Sequence, residues 1–146
     1  MRYTDNWLAK TAKCWDNEYL HYVDMDVKKN AHQRASRLLQ SFAVDYLGLE
    51  RSKYEVRSNR AGVACSGEVT LHTEAFVGTY GIYIQIGQFS VGTGTILYRC
   101  CDNMADYKGY RNNWSSVTQA FGTKEAIKKF ADTIRQLCNT PNQSRI

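Results

Sequence analysis

Nine consecutive residues concentrate the chemistry of this chain. Asp106-Tyr107-Lys108-Gly109-Tyr110-Arg111-Asn112-Asn113-Trp114 holds three aromatics, two cations and two amides. Aromatic faces stack on unpaired bases, cations neutralise phosphates, and an asparagine amide bonds to base edges. The pattern reads as a loop that takes single-stranded nucleic acid or a nucleotide. A packing role competes with it, because Tyr and Trp also close the end of a core while Lys and Arg lay their stems over it.

Arg57, Arg60 and Arg99 extend the loop into a larger basic surface. Arg57 and Arg99 fall within strand-like runs, where an arginine needs solvent or a partner. If both project from the helix-free face, then with Tyr83 and Tyr98 nearby the sheet presents cations and aromatics as several RNA-binding folds do. The expected binding set is Arg57, Arg60, Arg99, Tyr107, Lys108, Tyr110, Arg111, Asn113 and Trp114. These residues equally suit a protein partner, since Tyr, Trp and Arg dominate interface hot spots. The alternative is therefore an interaction module, such as a viral or mobile-element inhibitor of a host system, or a subunit of a larger assembly.

Catalytic patterns are thin, and the chain reads as a non-catalytic binding protein. Asp106-x-Lys108 resembles the acid-x-lysine end of metal-dependent nucleases, with Glu68, Glu74 or Asp102 as further carboxylates for Mg²⁺. Such a short match arises often by chance and makes a nuclease the third reading. His21, His32 and His72 stand apart in the sequence, each expected at the surface or as a satisfied core residue. The five cysteines include no CxxC and no CxxH, so a closed zinc site has no support, and no cofactor is expected. An odd, scattered set fits buried reduced thiols in a cytoplasmic protein, or in a host cell interior for a viral one.

The elements that must carry these residues follow from glycine and from periodicity. All ten glycines fall between Gly48 and Gly122, and the one proline is Pro141. Glycine punctuates hairpins and weakens helix interiors, which predicts helical flanks around a meander of strands. Over residues 1–48 the stripes Leu8, Ala12, Trp15, Tyr19, Tyr22 and Val27, Ala31, Ala35, Leu38, Phe42, Tyr46 recur at helical spacing. Lys28, Lys29, His32, Arg34 and Arg37 lie opposite the second stripe, as a solvated basic face. Four antiparallel strands are expected within 53–101, at 53–58, 62–74, 81–89 and 95–101. Residues 102–118 read as a loop. Residues 123–138 read as an amphipathic helix with Thr123 as N-cap and Ile127, Phe130, Ala131, Ile134 and Leu137 inward. The expected architecture is α+β in a single domain over 1–146, with helices packed on one face of the sheet.

Composition then bounds the partners. The chain has 146 residues, 43% of them apolar, enough to build a core and too many for a disordered tail. No apolar run approaches the ~20 residues of a membrane span, and no apolar leader opens the chain. The net charge is +5, and residues 99–146 supply eight basic against four acidic groups. The surplus thus coincides with the 106–114 stretch and the last helix, where a polyanion or an acidic surface would dock.

Overall fold

The computed structural model describes residues 25–59, 68–87 and 95–139, with the side chains of 25–31 and 59 left aside. Helix α1 (Met25–Ser41) buries Ala35, Leu38 and Leu39, the apolar positions that recur at helical spacing. It continues into a π-helical turn, Phe42–Tyr46, in which Leu47 N–H reaches back to the Phe42 carbonyl at 3.0 Å. The widened turn keeps Phe42 and Ala43 inward while freeing later carbonyls, and Arg135 from the last helix donates to one of these, on Tyr46. Gly48, at φ +70°, ends the segment in the left-handed region that a side chain would resist.

Among the described residues five strands follow in one sheet: β1 (Tyr54–Asn59), β2 (Glu68–Thr73), β3 (Gly81–Gly87), β4 (Thr95–Cys101) and β5 (Asn113–Ser116). Their spatial order is their chain order, and every neighbouring pair is antiparallel. One strand more is present than the periodicity predicts. Asn113-Trp114-Ser115-Ser116 has no apolar alternation, so only its pairing with 95–98 of β4 makes it a strand. The expected 102–118 loop is accordingly shorter, running from Asp102 to Asn112. Ser116 ends β5 and caps helix α2 (Val117–Phe121), its side chain accepting from Gln119 N–H. Helix α3 (Lys124–Cys138) closes the described chain.

Alternation sorts the sheet into two faces. Val56, Val69, Leu71, Ile82, Ile84, Ile86, Ile96, Tyr98 and Cys100 point to the helices and join one hydrophobic core with them. Helix α1 packs on β1 and β2, and α3 packs on β3 and β4. Where the three helices meet β4, Phe42 touches Phe121 and Phe130, and Phe130 meets Tyr98 edge-on. The architecture is α+β, with the C-terminal helix packed on an antiparallel sheet. Among the described residues, no helix is long and apolar enough to cross a membrane.

Thr123 caps α3 as its position predicts, Oγ1 accepting from Ala126 N–H at 3.0 Å. Thr123→Ala leaves that amide without its side-chain partner and lowers stability by about 1 kcal/mol. The urea midpoint reports the loss, and Thr123→Ser restores it. An unchanged midpoint in the alanine variant would refute the role of the cap.

Candidate nucleic-acid interface

The face of the sheet turned away from the helices is where the chemistry gathers. Two cross-strand rows cover it. Glu55 opposes His72, His72 opposes Tyr83, and Tyr83 opposes Arg99, so four strands place these side chains in one line. The next row runs Arg57, Thr70, Gln85, Leu97 and Trp114 across all five strands. Directly opposed residues on one face of an antiparallel pair stand close enough to touch.

At the centre is an aromatic and cationic cluster. Tyr107 comes down from the β4–β5 loop and stacks on Tyr83, ring centroids 4.8 Å apart and planes within 8°. His72 meets both rings edge-on, at 5.0 Å and 5.1 Å. The Arg99 guanidinium lies 4.8 Å from the Tyr83 centroid and 5.7 Å from that of Tyr107. Leu97 and Cys101 complete the cluster. Hydrogen bonds fix the polar members: Thr70 Oγ1 with His72 Nε2 at 2.9 Å, Tyr83 OH to Gln85 at 2.7 Å, and Arg99 Nη1 to Asn112 Oδ1 at 2.9 Å. Among the described residues, His72 Nδ1 and Arg99 Nε are buried without a well-formed hydrogen bond, His72 having the Met104 backbone close by.

Burial sets the electrostatics here. It holds the His72 ring well below the ordinary histidine value, at about 4, with the charge of Arg57 adding to the effect. The imidazole is therefore neutral at pH 7. Burial also raises the Tyr83 phenol to about 12, against the pull of Arg99. Arg57 is not a free cation: its guanidinium donates to both carboxylate oxygens of Glu55, at 2.8 Å and 3.1 Å. That contact lowers the Glu55 carboxyl and raises Arg57, and both side chains remain nearly half exposed.

The loop residues divide sharply. Trp114 is 58% exposed and stands beside Leu97 on the helix-free face, and Lys108 and Arg111 are exposed. Tyr110 corrects the expectation made for it. Its ring is 1% exposed, packs on Tyr80 at 5.4 Å, and its hydroxyl donates to Asp102. It anchors the loop and offers no stacking face. Asn113 points the other way from Trp114, donating to the carbonyls of Tyr98 and Arg111, so its amide is committed to backbone. Tyr98 faces the helices, so Tyr83 alone of the two tyrosines belongs to this surface. Arg60 lies outside the described residues, as do Cys14, His21 and Cys65.

Other expectations meet different fates. Among the described residues no three His, Cys, Asp or Glu side chains gather in a group that could hold a metal ion. His32, placed on the basic helix face, is instead 1% exposed, with Nδ1 sharing a hydrogen bond with Ser58 Oγ at 2.9 Å. Helix α1 is thereby pinned to the edge strand β1. Cys100, Cys101 and Cys138 are buried free thiols. Burial raises Cys101 to about 12, and a hydrogen bond with Cys100 pushes Cys138 upward, so neither is a thiolate at neutral pH.

His72 is the residue that motif reasoning passes over, because no catalytic or metal spacing includes it. Its signal is parity. With Val69 and Leu71 inward, position 72 must share the outward face with Thr70. The chain matches no protein-family model, no curated protein and no solved structure, so the residues themselves carry the functional argument.

Proposed function

We propose that this protein binds single-stranded nucleic acid on the helix-free face of its sheet, over β3–β5 and the 102–112 loop. The observation that carries the reading is the exposed Trp114 indole, set next to an arginine–tyrosine cluster and a loop with exposed cations. The indole is 58% exposed and leaves an aromatic face open to solvent beside the arginine–tyrosine cluster. An unpaired base supplies what it lacks, a planar apolar face, and stacking of this kind contributes about 1–3 kcal/mol per base. Lys108 and Arg111, exposed and without an ion pair among the described residues, supply charge for the backbone. Duplex would leave the indole unused, since paired bases hide their faces.

The test is fluorescence anisotropy of a labelled 12-nucleotide RNA and the matching DNA over a salt series. Wild type binds at low salt, and log affinity falls linearly with log salt by about 0.7 for each phosphate neutralised. Trp114→Ala weakens binding about ten-fold or more at every salt concentration, the stacking loss of one base. Lys108→Ala and Arg111→Ala each flatten the salt slope instead. No binding by wild type at about 50 mM salt refutes the proposal.

A protein partner is the second reading, favoured by the position of Trp114 on a four-residue edge strand. Exposed edges accept an added strand through backbone hydrogen bonds, with side chains such as an indole setting specificity. Binding to such a partner would depend little on salt, which separates the two.

A further inference from the structure

The Tyr83–Tyr107 stack is built from unequal members. Tyr83 belongs to the central strand and is 6% exposed, held laterally by His72 and Arg99 from the two neighbouring strands. Tyr107 belongs to the β4–β5 loop, is half-buried, and meets Tyr83, His72 and Arg99 through its ring, packed against the cluster of Tyr83, Leu97 and Cys101. The loop is anchored on either side of it. Asp102 N–H and Asn103 N–H both reach the Asp106 carbonyl, Asn103 Oδ1 accepts from Ala105 and Asp106, and Tyr110 is sunk in the core. Between the anchors only Tyr107, Lys108 and Gly109 remain, and Gly109 sits at φ +94°.

Beside the stacked rings, His72 Nδ1 and Arg99 Nε are buried without a well-formed hydrogen bond among the described residues. His72 is 2% exposed; its Nε2 is engaged by Thr70, while its Nδ1 lies near the Met104 backbone without a well-formed hydrogen bond. Arg99 spends Nη1 on Asn112 and keeps Nε buried and unused. Buried polar groups are ordinarily paired and an unpaired one is costly, so a ligand that reaches Arg99 Nε gains a hydrogen bond the free chain does not make. Arg99 Nε can only donate, and it requires an acceptor such as a phosphate oxygen.

We propose that Tyr107 is a placeholder for a nucleobase: on binding, a base of the single strand takes its place on Tyr83, and an adjacent phosphate accepts from the uncovered Nε of Arg99. The His72 Nδ1 gains its partner from the polar edge of the same base. This rests on the nucleic-acid reading of the face and adds to it a specific subsite, Tyr83 with Arg99 and His72, closed in the free protein. Binding here therefore competes with an internal ring rather than building on it.

The two roles of Tyr107 give opposite signs. As a placeholder its removal tightens binding, and as part of a fixed platform its removal weakens binding. Anisotropy of the full chain with the labelled 12-nucleotide RNA reads the difference. Tyr107→Ala is expected to bind about 3- to 10-fold tighter than wild type, the worth of one displaced aromatic pair. Adding Arg99→Gln to Tyr107→Ala cancels the gain and lowers the salt slope by about 0.7, the phosphate lost. Wild type gives a second reading that needs no variant: the Arg99 Nε–H NMR resonance moves downfield on adding the RNA. Inorganic phosphate alone leaves it in place, because Nε is buried in the free protein. Wild-type binding with an equal or weaker Tyr107→Ala, or with an unmoved Arg99 resonance, overturns the placeholder and leaves the broader face reading standing. Absence of binding by both wild type and Tyr107→Ala overturns both.

Discussion

Phe42→Ala lowers the unfolding free energy by about 3–5 kcal/mol, the cost of emptying a fully buried aromatic site. Phe42 has no exposed surface and is packed on three sides. Phe121 of α2 lies edge-on at 5.3 Å, Phe130 of α3 lies tilted at 5.4 Å, and Tyr46 stacks at 6.2 Å. Alanine removes the ring that joins all three helices, and the cavity does not collapse easily because its walls are themselves aromatic. The π-helical turn adds to the effect, since its backbone geometry is held by where Phe42 and Ala43 pack. Against a total stability of about 5–15 kcal/mol, this is a large fraction. Urea denaturation reads it as a drop in midpoint at constant slope. Val44→Ala, two positions on and 45% exposed, stays within about 0.5 kcal/mol of wild type. A Phe42→Ala loss below about 1 kcal/mol would place the hub of the core elsewhere.

The layers were legible because they rest on periodicity. The stripe of Ala35, Leu38 and Phe42 names the inner face of α1, and Ile82, Ile84 and Ile86 name that of β3. Thr95–Cys101 is bounded as the β-prone run predicts, and adjacent Cys100 and Cys101 fall on opposite faces because strand side chains alternate. Thr123 and Gly48 act as cap and terminator through rules that need only local sequence. β5 escaped because a strand of Asn, Trp and two serines has no pattern of its own. It exists through the edge of β4, a tertiary fact.

The site was legible in composition and illegible in arrangement. Arg99, Tyr107 and Trp114 do share a face, but the sorting of Tyr83 from Tyr98 and of Trp114 from Tyr110 depends on register. A shift of one residue would exchange inside for outside in any strand. Tyr110 and Tyr107 lie three apart in an irregular segment, where no period says which ring goes down into the core and which lies on the sheet. Glu55 shows another limit. It sits two residues from Arg57, the spacing that puts both on one face of a strand, and the ion pair it forms removes Arg57 from the free cations. Counting charges along the chain gives the total surplus, whereas pairing decides how much of it a partner meets.

The second large effect is a loss of stability in mild acid that traces to His72. Its ring is enclosed by Tyr83 and Tyr107, hydrogen-bonded through Nε2 to Thr70, and near the charge of Arg57. Glu55 opposite and the Met104 carbonyl favour the protonated form, but burial and Arg57 outweigh them and hold the value at about 4 against 6.5 in the unfolded chain. The unfolded state therefore takes up a proton as pH falls through 6.5, and the folded state does so only near 4. The contribution of neutral His72 is complete above pH 6.5 and is lost progressively down to about 4, by roughly 3 kcal/mol in all. Carboxylates also titrate in this range, so the comparison is between wild type and His72→Gln, in which they cancel. Urea midpoints of the two converge or cross as pH falls from 7 to 4, and curves that stay parallel would contradict the assignment. The same ring reports on its cover. With Tyr107→Ala the imidazole meets water, and its proton NMR titration moves from about 4 toward the ordinary histidine value of 6.5. That shift measures how much of the burial is supplied by Tyr107 itself, and a titration unmoved by the substitution would assign the burial to the sheet.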